Sequence, residues 1–449
     1  MKMQDEKAQR DAFFTMDGKP SVLKSLPVAF QHVLAMIIGN IAPAIIVAGA
    51  LGLSSTDKAV IIQYAMMAAG IGTLVQVFGF GPVGSRLPLI MGLNFAFVPV
   101  IITIGSNYGF SAVFASMIFG GLAVILFGAS IMKIRRFFPP LVTGTTVLAM
   151  GISLYPVAIN YMAGGVGEAS YGDWKNWLVA LVTLAVVFIL SEFGRGYIKV
   201  IAILIGIVVG YVLALPLGLV SFDGVSEAGV FALPAVLPFG MTFHPGAIFT
   251  MVIMYLVASV EIIGDISSLT IGGMEREATD REISGGIIGN GISSVIVSFF
   301  GGLPMATFSQ NVGIVATTKV VSKRIISITG IIILATGFLP KFGAVMSTIP
   351  NAVLGGATLS VFAIISINGI RLIAKEPFTM RNCNILGIAL AVGIGIAQVP
   401  AALDKAPVFF RTFFGSSPVI IATLIVFILN LIVPKKSFER EEEERRLKR

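Results

Sequence analysis

Long apolar runs separated by short polar stretches make up most of the chain between about residues 27 and 433. Many of these runs reach about 20 residues, which is the length that an α-helix needs to cross the hydrocarbon core of a bilayer. The pattern predicts an all-α polytopic membrane protein with fourteen transmembrane segments. Their predicted limits are 27–51, 59–80, 88–105, 109–132, 139–159, 175–192, 198–220, 246–268, 284–301, 305–321, 325–340, 349–373, 383–400 and 416–433.

Two of the predicted spans are interrupted. The third contains Pro88, Gly92 and Pro99, and the tenth opens with Pro304 and is polar in its first half. They hold the third place in two successive sets of seven spans. Interrupted segments at matching places are typical of inverted-repeat transporters with a central binding site. Ordinary helices that merely contain Gly and Pro are the alternative interpretation.

The alternation of apolar and polar stretches predicts four parts in chain order. Residues 1–24 form a cytosolic N-terminal tail, 25–220 a first seven-span repeat, 246–433 a second repeat, and 434–449 a charged cytosolic tail. The first 24 residues lack the hydrophobic core of a cleavable signal peptide. We therefore expect the first apolar run to remain as a membrane span.

Composition agrees with a membrane protein and excludes several other classes. Hydrophobic residues are 56% of the 449 and charged residues only 12%, about half the charged share of a soluble protein. The net charge of +8 lies in short loops and tails, so it does not indicate nucleic-acid binding. The single cysteine, Cys383, excludes an intramolecular disulfide. With only His32 and His244 besides, we expect no metal site, no cofactor and no enzymatic activity.

Basic residues are distributed unequally between alternate loops. With the N-terminus in the cytoplasm, 26 of the 31 Lys and Arg residues fall inside, as the positive-inside rule requires. Both termini of this multi-pass protein of the cell membrane are therefore predicted to be cytoplasmic. The five basic residues predicted outside are Lys58, Lys175, Lys341, Lys405 and Arg411.

Two carboxylates lie in the predicted eighth span. The run 247–268 reads AIFTMVIMYLVASVEIIGDISS and carries Glu261 and Asp265. A charge at membrane depth costs at least about 2.5–3.5 kcal/mol, and i, i+4 spacing places both acids on one helix face. Burial and mutual repulsion favour a bound proton on one of them. With no sodium cage evident in the sequence, we expect protons to drive transport through this pair.

A short motif begins at the break in the tenth span. Residues 310–319 read QNVGIVATTK and resemble the signature of the nucleobase/ascorbate transporter family, also called nucleobase:cation symporter-2. That signature is Gln or Glu, Asn, any residue, Gly, four free positions, Thr, and then a basic residue or Gly. Further resemblances are Gln31-His32 in the first span, FPPLVTG at 138–144, Glu261 with Gly264-Asp265, and Ile349-Pro350 with VLGG at 353–356.

The resemblance covers about residues 25–433 and carries expectations about fold and partners. It implies fourteen spans as two inverted seven-span repeats, with short β-strands in spans three and ten. It also implies a core domain that moves against a gate domain, and a homodimer in the lipid bilayer. The implied substrate is a nucleobase, taken up by secondary active transport.

The resemblance places the substrate between spans three, eight and ten. Glu261 and Gln310 match the side chains that hydrogen-bond the base, since a carboxylate accepts from ring N–H groups and an amide both donates and accepts. On the strand implied for span three, alternation puts Phe95 and Phe97 on one face, around Ala96. One of these rings could stack on the base, with ordinary core or lipid packing as the alternative. For Gln310 the alternative is a helix N-cap or a helix–helix hydrogen bond.

Other positions are expected to support the site. Asn311, Gly313 and Thr318 belong to the motif, and Asn311 is expected to hold the broken backbone. Gln31 and His32 match the family's QH pair. We favour an architectural role for His32 over a proton relay, although a neutral histidine in a membrane helix can serve either purpose.

Two positions favour purines over uracil. Family members that carry uracil tend to have Glu at the place of Gln310 and His at that of Asp265, whereas purine carriers have Gln and Asp. The expected function is proton symport of xanthine, uric acid or both. Xanthine-selective members often have Asn where this chain has Ala96, so strict xanthine selectivity is not expected.

Two rivals remain from the sequence. A uracil or other nucleobase permease is the nearest. An anion transporter can share the architecture, but an anionic substrate favours a basic residue or a helix N-terminus at the site, and the eighth span contains no basic residue.

Overall fold

The computed structural model describes residues 11–134, 138–195, 197–222, 225–406 and 418–434. The predicted tail from residue 435 onward, the loop residue Arg135 and the outer-loop residue Arg411 lie outside the described residues. So do the first ten residues of the predicted N-terminal tail.

Helices account for most of the described chain, and each of the fourteen predicted segments contains one. In chain order they are α1 (Val22–Ala50), α2 (Ser55–Phe78), α3 (Val98–Tyr108), α4 (Ser111–Ile134), α5 (Pro140–Ser153), α6 (Tyr155–Met162), α7 (Trp174–Phe193), α8 (Tyr197–Val200), α9 (Ala202–Ala214), α10 (Pro245–Met274), α11 (Asp280–Ser298), α12 (Ser309–Thr318), α13 (Lys323–Thr336), α14 (Pro340–Ser347), α15 (Asn351–Ile373), α16 (Met380–Gln398) and α17 (Pro418–Ile432).

The helices are those of a multi-pass membrane protein. Among the described residues, eight helical segments are long and apolar enough to cross a bilayer when the consecutive α5 and α6 count as one, and nine spans result if the pair α13–α14, bent by 81°, also counts as one. The remaining apolar helices are shorter than a full span. The arrangement as fourteen spans in two inverted repeats therefore stays a prediction.

Short strands interrupt spans three and ten, as predicted. β1 (Met91–Leu93) and β2 (Met305–Thr307) pair antiparallel, with Gly92 opposite Ala306. After β1 the chain makes one 3₁₀ turn, Phe95–Phe97, before α3 begins. Pro99 stands in the first turn of α3, where its missing N–H group leaves no bond unmade.

The prediction that Phe95 and Phe97 share a face of a strand is wrong. The strand ends at Leu93, because the Asn94 side chain accepts a hydrogen bond from the Ala96 N–H at 2.8 Å and turns the chain. Residues two apart in a 3₁₀ turn do not share a face, since this helix has three residues per turn.

The chain forms two compact units. One contains residues up to 130 and 158–360, and the other contains 131–157 and the described chain after residue 360. In the first unit, α2 packs against α1, α13 and α14. In the second, α5, α16 and α17 enclose a core that includes Leu141, Ile385 and Val426. Each unit contains chain from both predicted repeats.

Candidate functional site

The first strand, β1, is fixed by polar side chains of the first two helices. Asn40 of α1 accepts a hydrogen bond from the Leu93 N–H at 2.7 Å, and Thr73 of α2 accepts one from the Met91 N–H at 3.0 Å. Both side chains are completely buried. An edge strand inside a membrane protein must have its backbone groups satisfied by protein, so these contacts allow β1 to exist at this depth.

Close packing around Phe308 holds the strand pair against α1. A Cβ atom at Gly92 would lie 2.7 Å from the Phe308 ring, and one at Gly39 would lie 2.6 Å from it. Real Cβ atoms almost never approach so closely, so a larger residue at either position would displace the Phe308 ring. The Gly92 interruption of span three is therefore a packing requirement of the strand.

Glu261 of α10 is bonded to the end of β1. The Asn94 side-chain nitrogen donates to Glu261 Oε2 at 2.6 Å, while the Asn94 side-chain oxygen caps the 3₁₀ turn. Glu261 and Asn94 are both half-buried. Glu261 Oε1 has no hydrogen-bond partner in the described part of the chain. The carboxylate is thus held in place by one oxygen and can accept hydrogen bonds with the other.

Asp265 is directed at the second strand. The hydroxyls of Thr307 and Ser309 both donate to Asp265 Oδ2, at 2.5 and 3.0 Å. Asp265 is 9% exposed. The two acids of α10 therefore have different surroundings. Glu261 is half-buried and bonds to Asn94 of span three, whereas Asp265 bonds to Thr307 of β2 and to Ser309, the first residue of α12.

Gln310 lies on an accessible face of α12. It is exposed, as is Gly313 one turn later, and a Cβ atom added at Gly313 would meet nothing within 4 Å. On α10, Gly264 is also exposed with open space around it, one turn after Glu261. The predicted hydrogen-bonding residues Glu261 and Gln310 thus each lie one helical turn before a glycine, and the space around that glycine is open.

Asn311 faces the protein interior, one residue after Gln310. Its side-chain nitrogen lies 3.0 Å from His32 Nδ1 and 3.0 Å from the His32 backbone oxygen. Both side chains are buried, and Gln31 beside them is half-buried. The contact joins α12 to α1, and an architectural role for Asn311 and His32 remains our interpretation.

The end of the motif terminates α12. The Thr318 hydroxyl bonds the Ile314 carbonyl at 2.8 Å, and Lys319 adopts a left-handed conformation with φ of 59°. Glycine adopts this conformation most readily, and the signature that this motif resembles admits Gly or a basic residue here. In this chain the Lys319 ammonium donates to the Gly272 carbonyl of α10 at 2.6 Å.

The aromatic pair of span three is packed inside the protein. Phe97 and Ala96 are completely buried and Phe95 is 6% exposed. The Phe97 ring centroid lies 4.8 Å from that of Tyr255 on α10. Core packing is therefore the interpretation that the structure favours for Phe97. The polar group that span three directs at Glu261 comes from Asn94. The substrate selectivity expected from Ala96 stays a prediction.

Three polar residues of the site were not predicted. Asn94, Thr307 and Ser309 all contact the acids of α10. Asn94 had a signal, since it is an amide in an otherwise apolar span. Thr307 and Ser309 had none beyond their place beside the motif, because hydroxyl residues are common in membrane helices.

Comparison with known proteins identifies the family of this chain. Residues 23–402 match the sequence profile of the permease family Xan_ur_permease. The chain belongs to this family, the nucleobase:cation symporter-2 permeases. A member of it is a transmembrane transport protein and not an enzyme.

Curated relatives of this permease cover nearly its whole length. A putative purine permease of Clostridium perfringens is 34% identical over 436 residues, 96% of this chain and 95% of that protein. The xanthine permease of Bacillus subtilis is 36% identical, over 91% of this chain and 93% of its own. The uric acid permease PucK of the same organism is 33% identical, over 94% and 98%.

Solved structures share the fold at low sequence identity. The transmembrane domain of the cyanobacterial bicarbonate transporter BicA matches with a TM-score of 0.56 at 14% identity, over 90% of this permease and 96% of that chain. SLC26A9 matches with a TM-score of 0.55 at 12% identity, over 96% and 69%. At these identities the likeness concerns the fold alone.

Proposed function

We propose that this permease takes up purine nucleobases, xanthine or uric acid or both, by proton symport. The observation that carries the proposal is Glu261, a half-buried carboxylate in a membrane helix with one oxygen bonded to Asn94 and the other available. The relatives named as xanthine and uric acid permeases support the substrate class.

The geometry suits a flat heterocycle with adjacent donors and acceptors. Glu261 Oε1 can accept a hydrogen bond from a ring N–H, and charge-assisted bonds of this kind are about twice as strong as neutral ones. The exposed Gln310 amide can both donate to a carbonyl and accept from an N–H. Gly264 and Gly313 leave room beside these two side chains for the ring.

The surroundings of the two acids support a division of roles in coupling. Two hydroxyl donors compensate the charge of Asp265, whereas a single amide compensates that of Glu261. In the empty site, Glu261 is therefore the acid that we expect to bind the proton. The ring N–H donors of a bound purine compensate the Glu261 charge in turn, so we expect the pair of acids to hold the proton and the purine together, which would link the two fluxes.

Transport by reconstituted protein tests this coupling. Xanthine uptake into proteoliposomes should rise with an inward proton gradient and collapse when a protonophore is added. A sodium gradient imposed at fixed pH should have no effect. A strict sodium requirement would overturn the proton mechanism and leave the purine assignment standing, whereas competition by uracil but not by xanthine or urate would overturn that assignment.

We further propose fourteen spans in two inverted repeats, a homodimer, and both termini in the cytoplasm. The unequal distribution of basic residues supports the orientation. Single cysteines in a Cys383→Ser background should show it. A cysteine at Lys19 should react with an impermeant thiol reagent only in inside-out vesicles, and one at Lys175 only from outside. The reverse pattern would contradict the orientation.

Glu261 and Asp265 also help to separate the proposed purine permease from an anion transporter. An anion transporter has no evident use for two carboxylates at this place, and the likeness to BicA and SLC26A9 extends to the fold only. A uracil permease remains the nearest rival, and the competition assay above separates it from a purine permease.

A further inference from the structure

The segment before the first helix is attached to the turn that follows the site helix α12. The Phe13 carbonyl accepts hydrogen bonds from the N–H groups of Val321 and Ser322, at 3.0 and 3.3 Å. The Met16 carbonyl accepts one from the Lys323 N–H at 3.0 Å. We call residues 11–19 the N-terminal strap. Its backbone satisfies the N–H groups that open α13.

Side chains add to these backbone contacts. The Ser322 hydroxyl is completely buried and donates to the Gly18 carbonyl at 2.8 Å. Lys323 forms an ion pair with Asp17 at 2.5 Å. The Asp17 side chain is 84% exposed, and exposed pairs contribute about 0–1 kcal/mol. The strap is therefore held mainly by its backbone and by Ser322.

The strap also reaches the turn between α10 and α11. Arg276 in that turn contacts Met16 Sδ at 4.0 Å and forms an ion pair with Glu282 in the first turn of α11. Glu282 in turn completes a capping box with Thr279. One short segment thus touches the turn that follows α10 and the turn that follows α12.

These two turns end the helices that carry Glu261 and Gln310. The Lys319 bond to Gly272 joins the same two helix ends directly. We propose that the N-terminal strap is a positioning element of the transport site, which fixes the end of α12 against the end of α10 and so sets the distance between Glu261 and Gln310. This rests on the proposed function, in which both residues bind one purine.

A substitution at Gly18 can disrupt the strap while leaving Glu261 and Gln310 unchanged. A Cβ atom at Gly18 would lie 2.1 Å from the Ala12 carbonyl oxygen and 2.4 Å from the Thr15 hydroxyl. Gly18→Val therefore cannot keep the turn that presents the strap. Gly387 of α16 has nothing within 4 Å of an added Cβ atom, so Gly387→Val is the matched control.

Two measurements test the proposal. Gly18→Val should raise the KM for xanthine uptake by about tenfold or more, because small misplacements of binding groups have effects of this size, with Vmax, membrane level and thermal stability near those of Gly387→Val. In a Cys383→Ser background, spin labels at Ser268 of α10 and Thr317 of α12 should show a broader distance distribution after Gly18→Val and an unchanged one after Gly387→Val.

Exchanging the charges of the Asp17–Lys323 ion pair gives a second test, which does not depend on how Gly18→Val folds. Asp17→Lys and Lys323→Asp should each raise KM by up to about fivefold, and the double swap should return it toward the wild-type value. An unchanged KM and an unchanged spin-label distance in Gly18→Val would overturn the positioning role. If the wild-type protein transports no purine, the proposed function fails, and the spin-label distance still decides whether the strap positions α10 and α12.

Discussion

Glu261→Gln is expected to nearly abolish purine transport while the protein still folds and reaches the membrane. The substitution keeps the size of the side chain and an oxygen that can accept the bond from Asn94. It removes the charge that faces the ring N–H groups of the substrate. A hydrogen bond to a charged group contributes about 1.5–3 kcal/mol, which is about ten- to 150-fold in binding, and the loss of the proton site adds to this.

Uptake of labelled xanthine by whole cells measures this effect, together with the membrane level of a tagged protein. Glu192→Gln is the matched control, because Glu192 is exposed near the end of α7 and bonds to none of the site residues. Wild-type uptake by Glu261→Gln would remove this residue from the site and with it the observation that carries the proposed function.

Asp265→Leu is expected to destabilise the folded protein, whereas Asp265→Asn should not. Leucine leaves the hydroxyls of Thr307 and Ser309 without their acceptor. Thr307 is buried, so its unsatisfied hydroxyl costs about 1–3 kcal/mol, whereas Ser309 is exposed and its hydroxyl can bond to water. An asparagine oxygen can still accept both bonds, so the connection between α10 and β2 should survive. Thermal unfolding of the detergent-solubilised protein should therefore separate the two variants by a few degrees.

Thr307→Val provides an independent check on this connection, because it removes one of the two donors and should lower stability by less than Asp265→Leu. Purine uptake by the stable Asp265→Asn protein then reports on the charge of Asp265 separately from its bonds. Equal stability of the leucine and asparagine variants would show that the contacts at Thr307 and Ser309 do not hold α10 to β2.

Part of the site could be predicted from sequence because it depends on local chemistry. Carboxylates in an apolar run are costly wherever the run ends up in the fold, so Glu261 and Asp265 are conspicuous without a structure. Pro and Gly interrupt helices for reasons that lie in the residue itself, so the breaks of spans three and ten could also be placed. The short strands at these breaks were implied only by the family resemblance. The motif at 310–319 then gave the family.

The sequence could not assign separate surroundings to two acids on one helix face. Whether a carboxylate meets Asn94 or the hydroxyls of Thr307 and Ser309 depends on which segments, some 40 or more residues away, pack against α10. The same reason explains the error at Phe95 and Phe97. Their conformation follows from the Asn94 cap and from the Tyr255 ring that Phe97 packs against.

The sequence by itself thus determined the class of protein, the places of the helices and breaks, and the two acids whose charge is costly at membrane depth. These follow from the hydrophobicity of each stretch and the backbone limits of Pro and Gly, which are local properties. Only the tertiary structure decided which oxygen of Glu261 stays available, what Asp265 holds together, and that residues 11–19 reach the ends of α10 and α12. Those contacts join residues far apart in the chain, and nothing in the local pattern encodes their distance in space.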